Sequence, residues 1–155
     1  MGGMLLGVQA RLVEPPAQNE DFEKFHAYVR RQLVFFKGRE VSTNEEGVLA
    51  TFDGPARAIR CAQAIIEAAQ RLDVKVQTGL HTGECDVTGE TYSGFAVELA
   101  QCVAAESSPG EVLVSSTVKD LVAGSGIHFV ENGTKEFRGL PGEWRLFRVG
   151  GTENK

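Results

Sequence analysis

Between Pro55 and Leu80 the hydrophobic period changes from that of a helix to that of a strand. This transition restricts the chain to folds in which a helix lies on a sheet. Asp53 or Gly54 is placed to cap the helix, and Pro55 suits its first turn because the backbone N–H that proline lacks has no partner there. Ile59, Ala62, Ile66, Ala69 and Leu72 then recur at helical spacing, and the small alanines allow a close approach to a sheet. Val74, Val76, Thr78 and Leu80 follow on one side of a strand, with Lys75 and Gln77 on the other.

The rest of the chain repeats this alternation. Met4–Val13 reads as a first strand, ended by Pro15 and Pro16, which cannot sustain a ladder. Asn19 can cap a helix whose first turn carries Glu20, Asp21 and Glu23, favourable beside the exposed amides. Phe22, Phe25, Val29, Leu33 and Phe36 give its buried stripe, and Lys37-Gly38 stops it. Glu40–Phe52 reads as two strands around a turn at Asn44–Gly47, and a further strand is expected near Glu84–Thr88. Ala96–Ala105 is helical, Pro109-Gly110 is a turn, and Val112–Val114 is an apolar strand. Ser115 or Ser116 caps a short helix through Val122, ended by Gly124 and Gly126, and His128–Val130 and Trp144–Val149 are the closing strands. The pattern predicts an α+β sandwich with helices on a mostly antiparallel sheet. One domain is expected over residues 1–150, with a flexible tail at 151–155.

Charge and composition exclude several functions. The formal net charge is -5 and the lysines and arginines are dispersed, so phosphates would repel the chain and nucleic acid is not an expected partner. No stretch reaches about 18 apolar residues, so no membrane span is expected. The opening MGGMLLGV lacks the basic n-region of a leader, which makes the cytoplasm the expected compartment. Cys61, Cys85 and Cys102 are too widely spaced for a metal knuckle and read as small buried or half-buried side chains. His81 reads as a structural polar side chain at a strand end, because His26 and His128 are remote from it in sequence. Gly133–Gly139 lacks the order of a phosphate-binding loop, and no nucleophile elbow is present.

Four segments carry a family resemblance: LATFDGPARAIRCA at Leu49–Ala62, GLHTGE at Gly79–Glu84, GFAVELAQCVA at Gly94–Ala104 and SSPGEVLVSSTVKDLV at Ser107–Val122. Together they resemble the catalytic domain of class III adenylate/guanylate cyclases, especially the short bacterial kind. The resemblance implies a ferredoxin-like core with additional strands and a face-to-face homodimer whose cleft contains the sites. A heterodimer with another cyclase domain is the alternative. It also implies a reaction in which a purine nucleoside triphosphate closes to its cyclic monophosphate. That chemistry needs two divalent ions on hard oxygen ligands, Mg²⁺ or Mn²⁺, and cationic donors where charge builds.

At the positions that match the family's motifs, this chain departs from it. The hairpin Gly-Asp-Gly falls on Glu45, Glu46 and Gly47, so Glu46 is the candidate metal ligand, with one methylene more than aspartate. A misplacement of about 1 Å costs a reaction about 100-fold. The first-strand aspartate falls within Gly7-Val8-Gln9, none of which is acidic. The purine-reading pair falls on Ser42 and Phe95, and the asparagine and arginine that assist across the interface fall on Glu98 and Cys102. Cysteine supplies no positive fork to phosphate, and Glu98 would repel it. The resemblance therefore implies a degenerate cyclase-homology domain with no cofactor, serving as a binding, scaffolding or regulatory module. A pocket of Ser42, Glu46, Phe95, Glu98 and Cys102 would suit a small molecule with an apolar or cationic part. The alternative is a weak adenylate or guanylate cyclase that uses Glu46 with Mg²⁺ or Mn²⁺.

Overall fold

A computed structural model describes the backbone of residues 2–14, 19–44, 47–89 and 91–152, and the side chains of residues 23–43, 47–89 and 91–150. The first half is a β-α-β-β-α-β unit: β1 (Gly2–Glu14), α1 (Asn19–Phe35), β2 (Arg39–Asn44), β3 (Gly47–Thr51), α2 (Pro55–Arg71) and β4 (Lys75–Thr88). β1 lies between β3 and β4 and is antiparallel to both, which is the ferredoxin-like arrangement. The second half adds β5 (Thr91–Ser93), α3 (Phe95–Glu106), β6 (Val112–Ser115), α4 (Ser116–Leu121), β7 (Ile127–Glu136) and β8 (Glu143–Thr152). The sheet has eight strands in the order β2-β3-β1-β4-β6-β8-β7, with β5 paired to β4. β6 runs parallel to β4 and the other pairings are antiparallel. The expected class and the mostly antiparallel sheet are therefore observed.

The two faces of the sheet are covered differently. α1, α2 and α4 share one face, where Phe25, Val29, Leu33, Ile59, Ala62, Ile66 and Val118 meet Val76, Leu80, Val112 and Val114 in the main core. Gly54 is the N-cap of α2 and Pro55 occupies its first turn, as expected. The inward stripe of α2 is buried through Ala69, and Leu72 packs partly buried at its end. Lys37-Gly38 ends α1 as expected. Lys37 takes the left-handed conformation (φ 62). The Gly38 N–H donates back to Leu33 O at 2.7 Å, closing a Schellman turn. Gly38 is required for space, since a Cβ there would lie 2.5 Å from the Phe52 ring.

Four expectations are corrected. The strands expected at Val74–Leu80 and Glu84–Thr88 are one strand, β4, which begins at Lys75. His128–Val130 is only the start of β7, which continues to Glu136 through residues exposed on both sides. β8 runs from Glu143 to Thr152, longer than the expected strand Trp144–Val149, and Thr152 pairs with Ile127. Residues 153–155 lie outside the described residues. Ser115 stands at the N-cap of α4, but its hydroxyl makes no cap bond and turns to His81 instead.

Candidate functional site

α3 lies on the other face of the sheet, over β4 and β1. Its seat is GLHTGE. Side chains alternate along a strand, and Gln77, Gly79, His81 and Gly83 of β4 serve the α3 side. A Cβ on Gly79 would stand 2.2 Å from Ala104 N and 2.5 Å from Ala104 Cα, so the helix backbone rests directly on this glycine. A Cβ on Gly83 would stand 3.2 Å from Ala96 Cβ. Gln77 Nε2 donates to Ala105 O at 3.1 Å and Ser107 O at 2.6 Å, and Ser107 Oγ donates to Ala104 O at 2.9 Å. Carbonyls at the end of α3 that have no partner within the helix are satisfied in this way.

His81 occupies the centre of that seat and not a strand end. It is buried, and its Nδ1 shares a 2.8 Å hydrogen bond with Ser115 Oγ. Trp144 of β8 packs edge-on against it, with ring centroids 5.6 Å apart, and donates from Nε1 to Pro141 O at 3.2 Å. Burial lowers the His81 pKa from 6.5 to about 4, so the imidazole is neutral at pH 7.

Phe95, Glu98 and Cys102 follow one another along α3 at spacings of three and four, on one stripe. Phe95 is 38% exposed, and its ring centroid lies 5.7 Å from that of Trp144. Glu98 is exposed. Cys102 is half-buried against the cluster of Leu99, Val103, Leu113, Phe137 and Leu146, on which Trp144 also packs. Burial, then the charges of Glu98 and Glu106, push its thiol pKa up, so it is a poor nucleophile at neutral pH. Cys61 and Cys85 are buried as expected, and burial pushes the Cys61 thiol up to about 12.

The other expected site residues do not join this stripe. Ser42 is exposed on the edge strand β2, opposite Leu49, and β3 separates that strand from β1. Gly7 and Gln9 are strand-paired on both sides, Gly7 with Thr51 and His81, Gln9 with Leu49 and Gly79. Glu46 lies outside the described residues. Two of the cations on the late strands are engaged, Lys135 with Glu106 at 3.5 Å and Arg145 with Glu131 at 3.3 Å. Sequence reasoning took His81 as a structural side chain but not as the centre of the α3 seat, and it missed the contacts of Trp144. The available signal was the alternation Gly79, His81, Gly83 within one strand, which marks a helix seat with a polar side chain at its centre.

No family model matches the chain. Among curated proteins it is 31% identical over 112 residues to an uncharacterized protein of Rhizobium meliloti (strain 1021), a match spanning 63% of this chain and 11% of that protein. An uncharacterized protein of Mycobacterium tuberculosis matches at 27% identity over 110 residues, 69% of this chain and 29% of that protein. The chain thus spans less than a third of the length of these relatives. Among solved structures, an adenylate/guanylate cyclase/hydrolase from Silicibacter pomeroyi superposes with a TM-score of 0.81 at 22% identity, over 96% of this chain and 97% of that one. The adenylyl cyclase CyaB from P. aeruginosa gives 0.85 at 15% identity, over 99% and 97%. A dimeric guanylyl cyclase domain from Blastocladiella emersonii gives 0.82 at 14% identity, over 98% and 99%. The chain has the fold of the class III adenylate/guanylate cyclase catalytic domain. These identities establish the fold alone.

Proposed function

We propose that the chain is a catalytically degenerate nucleotide-cyclase-homology domain acting as a dimeric binding, scaffolding or regulatory module. The observation that carries this reading is the α3 stripe. Where the resemblance calls for a hydrogen-bonding amide and a cationic fork, Glu98 presents a carboxylate and Cys102 packs its thiol into an apolar cluster with Trp144. Losing one preorganised donor in a transition state costs about 3–4 kcal/mol, and here both are replaced.

The two-ion arrangement does not fit either. β1 carries Gly7, Val8 and Gln9 at the matching positions, none with a carboxylate. No cofactor is assigned. Dimerisation is supported by the exposed Phe95 at the start of α3, and one structural neighbour is described as a non-canonical dimer. The cleft formed there would take a small ligand with an apolar or cationic part, beside Phe95 and Glu98. No helix among the described residues is long and apolar enough to cross a membrane. The cytoplasm is part of the proposal on the strength of the sequence, whose opening residues lack a basic leader region.

Calorimetric titration with Mg²⁺ or Mn²⁺ in the presence of ATP or GTP tests the site. A tight two-ion event that disappears in Glu46→Ala would reverse the reading in favour of a weak cyclase, and its absence is the expected result. Sedimentation tests the pairing: a dimer is expected, and Phe95→Arg should shift it toward monomer. A wild-type chain that sediments as a monomer at every accessible concentration would remove the dimer from the proposal.

A further inference from the structure

On the face of the sheet opposite α3, α1 and α2 leave a groove of about 400 Å³ between them. Lys24, Tyr28 and Arg31 line it from α1 and Arg71 from α2, over a floor of Ala27 and Ala68. Tyr28 organises the cations. The guanidinium carbon of Arg31 lies 5.5 Å and that of Arg71 5.4 Å from its ring centroid, and Arg71 donates to the phenol oxygen at 2.8 Å. Both contacts hold an arginine in place while leaving its charge uncompensated. Among the described residues, no carboxylate forms an ion pair with Lys24, Arg31 or Arg71. The lining of the groove thus carries three cations and no carboxylate, in a chain of net charge -5.

The stripe continues along α1. Lys24, Tyr28, Arg31 and Phe35 recur at spacings of three and four, on one side of the helix. Val34 and Phe35 are 78% and 75% exposed, more than any other large apolar side chain among the described residues. Phe35 is braced edge-on by Phe36 at 4.9 Å, and Phe36 itself packs against the main core. A cationic groove followed along the helix by an exposed apolar pair has the anatomy of a recognition surface.

We infer that this stripe docks an acidic, amphipathic peptide segment of a partner protein, with carboxylates over Lys24, Arg31 and Arg71 and an apolar anchor over Val34 and Phe35. Charge complementarity selects the acidic face. Shape selects a segment over a bilayer, because a concave groove between two helices admits something narrow. An extended anionic surface would also meet the negative charge of the whole chain, whereas a seated segment responds to the cations within about 8–10 Å of it. This surface is separate from the α3 stripe, and the inference holds whether or not the chain turns over nucleotides.

The test is fluorescence anisotropy with a fluorescein-labelled amphipathic peptide bearing glutamates on one helical face and leucines on the other. A version with lysine in place of glutamate, and vesicles containing phosphatidylserine, are run in parallel. The acidic peptide should bind, with affinity falling as salt is raised. Arg31→Glu should weaken it at least about tenfold and Phe35→Ser by a smaller factor. Arg31→Glu keeps the Arg71–Tyr28 bond, and its thermal melt controls for folding. Glu136→Ala, at the exposed end of β7, should change nothing. The inference is overturned if the acidic peptide fails to bind, or if Arg31→Glu and Phe35→Ser leave binding unaltered. Vesicle binding that Arg31→Glu abolishes, with the peptide unbound, would reassign the surface to a membrane and overturn it equally.

Discussion

At the scale of single residues, His81 ties the seat of α3 to pH. Its folded pKa is depressed to about 4 from an ordinary 6.5, so the native state holds a neutral imidazole that the unfolded chain protonates more readily. The sign follows: the stability contributed is fully present above pH 6.5 and is lost as pH falls toward 4. The loss over that interval is about 3 kcal/mol. His26 acts with the same sign, because burial and then the Arg30 charge lower its pKa. The contribution of His81 is therefore read as a difference between wild type and His81→Gln in urea unfolding at several pH values. The variant should show a shallower loss between pH 6.5 and 4. Identical slopes would mean that the imidazole is not kept neutral by its surroundings.

At the scale of elements, two substitutions separate the layers. Ile59 is wholly buried in the main core, and Ile59→Ala should cost about 2–4 kcal/mol in denaturant unfolding. Gly79→Ala places a methyl group against the backbone of Ala104 and Val103, which cannot swing aside as a side chain can. The expected cost is about 3 kcal/mol or more, with loosening of α3. Gly89→Ala is the control. That turn glycine has φ +61, and an added methyl group would meet nothing within 4 Å, so only the left-handed backbone penalises it, by about 1 kcal/mol. Equal costs at the two glycines would show that α3 does not rest on β4 as described. The elements themselves were largely legible, and the exceptions share a physical origin. α2 and the first part of β4 bury one face each, so their periods stand out in the sequence. From Gly79 to Thr82, β4 is buried on both faces, which erases the alternation and hides the continuity of the strand. β7 beyond Val130 is exposed on both, which erases it in the opposite way.

At the scale of the whole molecule, the fold of a nucleotide cyclase is present, while Phe95, Glu98 and Cys102 stand on the α3 stripe to which the family resemblance assigns reactive groups. The candidate site was legible as residue types, because a carboxylate and a thiol are chemically unlike an amide and a guanidinium. Its surroundings were not. Trp144 is distant in sequence from α3 and reaches it only through the pairing of β8 with β6, so no local pattern announced its contacts with His81 and Phe95. Product analysis after incubation with Mn²⁺-ATP and, separately, Mn²⁺-GTP tests the central claim most directly. The expected result is no cyclic AMP or cyclic GMP above a protein-free control. Cyclic product that forms in proportion to protein and disappears in Glu46→Ala would contradict it.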